Sequence, residues 1–327
     1  MRPVITVIEP EGPESWFGAL EGIGEVRYYY PEGPLEPEVV SSLLEGSWGV
    51  VITSSTAISA KQLALCPDLR IIAKCGGPPS NVDIEGATKC GIAVSCVPGA
   101  NTTSIAEYAV MGIIACLRGF DAHLDTVKRG RWRTPTTLLG NDLRDATVGI
   151  VGLGAIGKEV LRKLEPFDCN VLIYSPHSGR DVPLPSRARF VDSLEEMLPQ
   201  CDAVSLHCKV TPDTQNMFSE RAFSLMKDGA VFVNTARGAL VDEDALEGAL
   251  LSGKLACALI DVFKTEPLPE SSGLVKCPNA MLTPHSSGWT HQALWRECDG
   301  AVRSVLAMFE KEPIPGLLNP DYIENAK

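Results

Sequence analysis

The stretch Thr147-Val-Gly-Ile-Val151-Gly152-Leu-Gly154-Ala155-Ile156-Gly157-Lys158-Glu-Val-Leu-Arg-Lys-Leu164 decides the fold. Thr147 to Val151 is an apolar, β-branched run of strand length. It passes straight into a G-x-G-x-x-G loop and then into Lys158 to Leu164, which reads as helix. In that context the first glycine permits a tight turn and the second lets the backbone approach a pyrophosphate. The third allows strand and helix to pack closely. The opening of the helix, with the N–H groups around Ala155 and Ile156, offers unpaired donors to an anion. A dinucleotide site is therefore expected at Gly152, Gly154, Ala155, Ile156 and Gly157.

Working outward, further short apolar runs follow at Val171 to Tyr174, Ala203 to Leu206, Ala230 to Val233, Ala256 to Asp261 and Ala280 to Thr283. Helical or turn sequence separates them, and strands in βα alternation build a doubly wound parallel sheet. Upstream, Val4 to Ile8, Gly49 to Thr53, Leu69 to Ala73 and Ile92 to Ser95 repeat the same grammar in a first α/β domain. Pro98 to Asn101 turns the chain into a long helix, for which Ser104 and Glu107 have the spacing of a capping box. Residues 120–145 are polar and read as an arm. Gln292 to Phe309 is an amphipathic helix, ended by Pro313 to Pro315, that is expected to return to the first domain. The sequence thus predicts an α/β protein of two Rossmann-like or flavodoxin-like domains with parallel sheets. The substrate domain is 1–102 completed by 289–327, and the cofactor domain, 103–288, is inserted in it.

The 327 residues suffice for two such domains, and 45% hydrophobic with 21% charged residues is the balance of a packed protein. Lys and Arg number 29 against 41 Asp and Glu, a net charge of −12 that disfavours nucleic acid and anionic membrane surfaces as partners. The 11 cysteines are odd in number and form no Cys-x-x-Cys pair, which reads as free thiols in a reducing cytosol. No apolar run approaches the roughly 18 residues of a membrane span. A cytoplasmic location is expected.

A carboxylate roughly 20 residues after the glycine loop selects NAD through the ribose hydroxyls. That position is Ser175 here, which removes the repulsion of a 2′-phosphate. Arg180 either pairs with such a phosphate or is a solvated loop charge. NADP is slightly favoured, with NAD the alternative.

Three later segments each follow a strand: Asn234-Thr235-Ala-Arg237-Gly238, Asp261-Val-Phe-Lys-Thr-Glu266-Pro267 and Thr283-Pro-His285. Strand ends of an open α/β sheet face the crevice where ligands bind. With these segments, and with PGANTT at Pro98 to Thr103, GRW at Gly130 to Trp132, TPDT at Thr211 to Thr214 and DEDALEGALLSGKL at Asp242 to Leu255, the sequence resembles the D-isomer-specific 2-hydroxyacid dehydrogenases over nearly its whole length.

The resemblance implies that Arg237 grips the substrate carboxylate and polarises the 2-oxo group, that His285 is the acid/base, and that Glu266 pairs with His285. Asp261 is implied to meet the nicotinamide end of the cofactor. Thr235 joins the cofactor contacts, and His207 and Thr211 flank them, although the family's usual proline between these two is Lys209. It also implies a homodimer with the 120–145 arm in the interface. The departure lies in the substrate loop. The family's loop offers consecutive backbone N–H groups, whereas Gly76-Gly77-Pro78-Pro79-Ser80-Asn81 places two prolines where donors would stand. Gly76 and Gly77, with Ser80 and Asn81 as replacement donors, are the expected substrate contacts. The expected reaction interconverts a small 2-oxo acid and its D-2-hydroxy acid. The rivals are a nucleotide-sensing scaffold of the corepressor type, a phosphoglycerate dehydrogenase, and a formate- or phosphite-type dehydrogenase. No arginine lies in Ile52 to Thr56 to hold a phosphate, and Glu266 stands where formate dehydrogenases have glutamine.

Overall fold

In the computed structural model, which describes residues 2–134, 139–177 and 181–325, the chain divides into two compact units. One is Met1–Asn101 with Trp289–Lys327, and the other is Thr102–Gly288.

The first unit is built on five parallel strands: β1 (Val4–Ile8), β2 (Glu25–Tyr29), β3 (Gly49–Ile52), β4 (Ile71–Lys74) and β5 (Ala93–Cys96), in the order β2-β1-β3-β4-β5. This is the flavodoxin-like order, whose connections reverse between β1 and β3. β3, β4 and β5 are buried along their whole length, as strands covered on both faces must be. One face packs on the helix His291–Glu310, whose Cys298, Ala301, Val302 and Val305 meet Ile5, Val7, Ile71 and Ala73. The C-terminal helix therefore completes the first unit's core. The tail beyond it is tied down by Asn319, which is 6% exposed. Its Oδ1 accepts from the Val94 N–H at 2.7 Å, and its Nδ2 donates to the Ile92 carbonyl at 2.9 Å and the Thr88 hydroxyl at 2.9 Å.

The second unit carries seven parallel strands: β6 (Thr147–Val151), β7 (Asn170–Tyr174), β8 (Ala188–Val191), β9 (Ala203–Leu206), β10 (Ala230–Asn234), β11 (Leu255–Ile260) and β12 (Ala280–Leu282). They lie in the order β12-β11-β10-β9-β6-β7-β8, a doubly wound sheet with its switch point between β6 and β9. Alternate residues feed cores on the two faces: Ala230 and Phe232 join one, Val231 and Val233 the other. The long helix Thr102–Leu117 lies in the second of these, with Ala106, Ala109, Ile113 and Cys116 against Leu259 and Val231.

Two elements differ from expectation. β2 and β8 were not evident in the sequence. The helix begins at Thr102, which puts Ser104 inside its first turn, and Glu107 pairs with Lys163 at 3.0 Å. The 11 cysteines are all free, nine of them buried.

Replacing Asn319 with alanine strands a buried donor and acceptor of β5 and its approach. Unfolding by urea should show the first unit destabilised by about 2–4 kcal/mol; a loss under 0.5 kcal/mol would remove Asn319 as the tail's anchor.

Candidate active site

Asn234 ends β10 and builds the turn that follows. Its Nδ2 donates to the Arg237 carbonyl at 3.0 Å, and its Oδ1 accepts from the Ala236 N–H at 3.0 Å. Gly238 then runs against the loop after β11: a β-carbon there would stand 2.0 Å from the Phe263 carbonyl carbon. Only glycine allows that approach, and it brings the Arg237 turn beside the loop that carries Glu266. The Arg237 side chain is exposed and donates to the Ala236 carbonyl at 2.6 Å. No carboxylate pairs with it among the described residues.

Glu266 uses both oxygens. Oε1 accepts from the Phe263 N–H at 2.9 Å, which fixes the carboxylate, and Oε2 lies 2.7 Å from His285 Nδ1. That bond places the proton of the imidazole on Nδ1 when it is neutral and leaves Nε2 free for a ligand. The His285 side chain is about half exposed, at 48%. Its backbone sits at φ +52, a left-handed conformation that costs a non-glycine residue roughly 1–3 kcal/mol. The surroundings impose it: the His285 N–H donates to the Asp261 carbonyl at 2.8 Å and the Thr283 carbonyl at 3.0 Å.

Asp261 explains the rest of that turn. Its side chain is 0% exposed and accepts from Thr283 Oγ1 at 2.7 Å, the Ser286 N–H at 2.8 Å and the Ser287 N–H at 2.8 Å. The carboxylate thereby knits the turn that presents His285.

At the glycine loop, Gly152 has φ +96, and its missing β-carbon would meet Cys208 N at 2.7 Å. At Gly157 a β-carbon would fall 2.1 Å from the Gly152 carbonyl oxygen, whereas at Gly154 it would point into open space. The helix Ala155–Leu164 has no side-chain cap and no acidic residue in its first turn. Ser175 is 2% exposed, and its Oγ accepts from the Leu153 N–H at 3.1 Å, tying the loop to the end of β7. Arg180 lies outside the described residues. Both ring nitrogens of His207, which lies against Gly152 and Gly157, and the hydroxyl of Thr235 are shielded from water with no hydrogen-bond partner among the described residues. Burial pushes His207 down to about 3, so the ring is neutral at every working pH. Thr211 caps its own turn, its N–H donating to Thr214 Oγ1 at 2.7 Å.

In the other unit, Gly76 opens the Gly76–Asn81 loop at φ +84. Asn81 spends its amide on the Thr53 carbonyl at 3.0 Å and the Thr56 carbonyl, anchoring the loop and withdrawing the expected replacement donor. Ser80 is exposed, and neither its hydroxyl nor the Gly77 N–H has an acceptor among the described residues.

Residues 110–287 match the family model of the D-isomer specific 2-hydroxyacid dehydrogenase, NAD binding domain. The chain belongs to this family. It is 32% identical over 327 residues to a glyoxylate reductase of Korarchaeum cryptofilum, covering 99% of this chain and 98% of the relative. A D-3-phosphoglycerate dehydrogenase of Archaeoglobus fulgidus is 33% identical over 84% of this chain, which spans about half, 52%, of that relative's length. The crystal structure of a glyoxylate reductase from Paecilomyes thermophila superposes with a TM-score of 0.81 at 30% identity, covering 97% of this chain and 99% of the other.

The chain is accordingly an NAD(P)-dependent D-2-hydroxyacid dehydrogenase, of a family that acts on small 2-hydroxy and 2-oxo acids. Its own residues fit the dinucleotide: a glycine cradle with open space at Gly154, an uncapped helix start, and orphaned polar atoms on His207 and Thr235. The second unit also holds supports that the sequence reading did not assign, Asn234 and Thr283, whose signal was a polar residue ending or following a buried strand.

If Asp261 acts through the turn it holds, Asp261→Ala should lower kcat roughly tenfold or more while the dissociation constant for reduced cofactor stays within about twofold. Steady-state kinetics and fluorescence titration separate the two; a large loss of cofactor affinity would assign Asp261 to the nicotinamide contact instead.

Proposed function

We propose that the protein reduces a small, unphosphorylated 2-oxo acid to the D-2-hydroxy acid, with His285 as proton donor and Arg237 as carboxylate ligand. The observation that carries this reading is the Glu266 to His285 bond of 2.7 Å, in the unit whose Arg237 has no carboxylate partner among the described residues. A nicotinamide, when bound, supplies hydride to the 2-oxo carbon. As the carbonyl π electrons move onto oxygen, the alkoxide takes the proton of His285 Nε2. Glu266 accepts from Nδ1–H and stabilises the imidazolium that precedes the transfer. Arg237 holds the carboxylate in fork geometry and draws electron density from the adjacent carbonyl. The oxidative direction runs through the same groups with His285 neutral.

Observations in the first unit support this reading of the substrate's size and charge. Glu9 stands after β1 at φ +55, with its Oε2 accepting from the Thr53 hydroxyl at 3.0 Å, so the segment where a phosphate would need a cation carries a carboxylate instead. This favours an acid of about the size of glyoxylate over 3-phosphoglycerate. Substrate contacts in that unit fall to Gly76, Gly77 and Ser80. Residues 175–177 read Ser-Pro-His, with no carboxylate to repel a 2′-phosphate, which favours NADPH over NADH.

A homodimer is the proposed assembly. The helix Phe120–Lys128 buries none of its residues, yet Phe120, Leu124 and Val127 form a stripe at helical spacing that is 52%, 43% and 58% exposed.

Assay of a panel of 2-oxo acids with NADPH and with NADH tests the reading; cofactor binding without turnover on any of them would favour a nucleotide-sensing scaffold. On the best substrate Arg237→Ala should cost about 3 kcal/mol or more in kcat/KM, near a hundredfold. In the same assay, Glu266→Gln should lower kcat in both directions, because the imidazolium loses the anionic partner that stabilises it; an unchanged kcat would uncouple Glu266 from His285.

A further inference from the structure

The first unit buries ionisable groups that this chemistry does not use. Lys74, the last residue of β4, is 5% exposed, and its ammonium has one acceptor among the described residues, the Cys75 carbonyl at 2.8 Å. Glu297, on the helix His291–Glu310, is 7% exposed, and no donor among the described residues bonds its carboxylate. The two converge on Gly76. The point where a β-carbon would stand at Gly76 is 3.3 Å from Glu297 Oε2 and 3.5 Å from Lys74 Nζ. Any side chain at 76 would crowd both, and the φ of +84 suits glycine alone.

Glu11, in the segment after β1, is the third member. Burial raises its carboxyl, Lys74 opposes that, and Glu9 adds to it. Glu297 is pushed up to about 7, first by burial and then by the charge of Glu11, against the pull of Lys74 and Arg296. The Cys75 and Cys298 thiols also lie near Glu297, and Cys75 is held well above the ordinary range, chiefly by its hydrogen bond with the Cys298 thiol. On the same helix, His291 packs edge-on against Trp16.

Charge counting gives this cluster a direction. With the carboxylates ionised, the three negative charges of Glu9, Glu11 and Glu297 face the two cations Lys74 and Arg296; with a proton on Glu297 the count is neutral. It lies immediately behind the first residue of the Gly76–Asn81 loop. An anion received by that loop is repelled in the first state and accepted in the second.

We propose that Glu297 is a positioning residue of the substrate loop that takes up a proton when a 2-oxo acid anion binds, leaving the buried charge of Lys74 to favour the anion. This rests on the reading of Gly76–Asn81 as the substrate-binding loop. Like charges under 10 Å apart in a partly solvated site couple by roughly three- to thirtyfold in affinity. Affinity for the acid should therefore fall by that factor as pH rises through about 7, independently of His285.

The test uses oxamate, an unreactive 2-oxo acid analogue, titrated into protein saturated with NADPH or NADH between about pH 5.5 and 8.5. A His285→Gln background removes the histidine's own proton. There, the chain with Glu297 should show the loss of affinity, Glu297→Gln should bind oxamate tightly and evenly across the range, and Glu11→Gln should move the midpoint to lower pH. Calorimetry in two buffers of different ionisation enthalpy should register net proton uptake near pH 7, absent in Glu297→Gln. A pH slope retained in Glu297→Gln overturns the proposal and leaves the loop assignment standing. If that variant does not fold, an unmoved midpoint in Glu11→Gln together with no proton uptake overturns it equally. Failure of the unsubstituted protein to bind oxamate at any pH, with cofactor bound, overturns the loop assignment itself and the proposal with it.

Discussion

Every strand pairing in both sheets is parallel. Parallel pairing forbids tight hairpins, so each strand must be followed by a crossover that covers a face, and every strand of a sheet ends on the same edge. That constraint gathers the Arg237, Glu266 and His285 turns in one unit, and Glu9, Thr53 and the Gly76 loop in the other. No long-range contact has to be invented to assemble either group. What remains for individual side chains is to fix the turns, as Asn234 does after β10 and Asp261 does between β11 and the residues after β12.

Three carboxylates show how environment divides one chemical group among different uses. Asp261 has no exposed surface, but three donors satisfy it, and it serves as a structural anion. Glu266 is partly exposed and held by one backbone donor, leaving its other oxygen for the imidazole. Glu297 is buried with no donor among the described residues, and burial pushes it up to about 7. At this group the native chain binds more protons than the unfolded chain between the ordinary carboxylate range and about 7, so its burial erodes stability as pH rises through that window.

Much of this was legible in the sequence because parallel strands covered on both faces read as plain apolar runs. β1, β6 and β9 fall where the runs do. The two strands that escaped, β2 and β8, are sheet edges, and their residues alternate between exposed and half-buried instead of forming a run. Arg237, Glu266 and His285 stood out as a motif after strands, whereas the inward use of Ser175, Asn81 and Asp261 depends on contacts between distant segments. Glu297 was missed for a different reason. A glutamate in an amphipathic helix reads as solvent-facing, yet Ala293, Glu297, Ala301 and Val305 recur every four residues on the buried stripe, and that spacing was the available signal.

The helix His291–Glu310 and the Asn319 anchor belong to the unit that begins with β1, with the whole of Thr102–Gly288 between them. On a ribosome, β1 to β5 emerge long before the helix that covers one of their faces. Until then Ile5, Val7, Ile71 and Ala73 have only Phe17 and Leu20 of the short helix Glu14–Gly22 from that cluster's other elements, while the second unit carries all of its own core in one continuous segment. The inserted unit can fold as soon as it is made, and the unit whose sequence brackets it must keep apolar sheet surface uncovered until the helix His291–Glu310 is made.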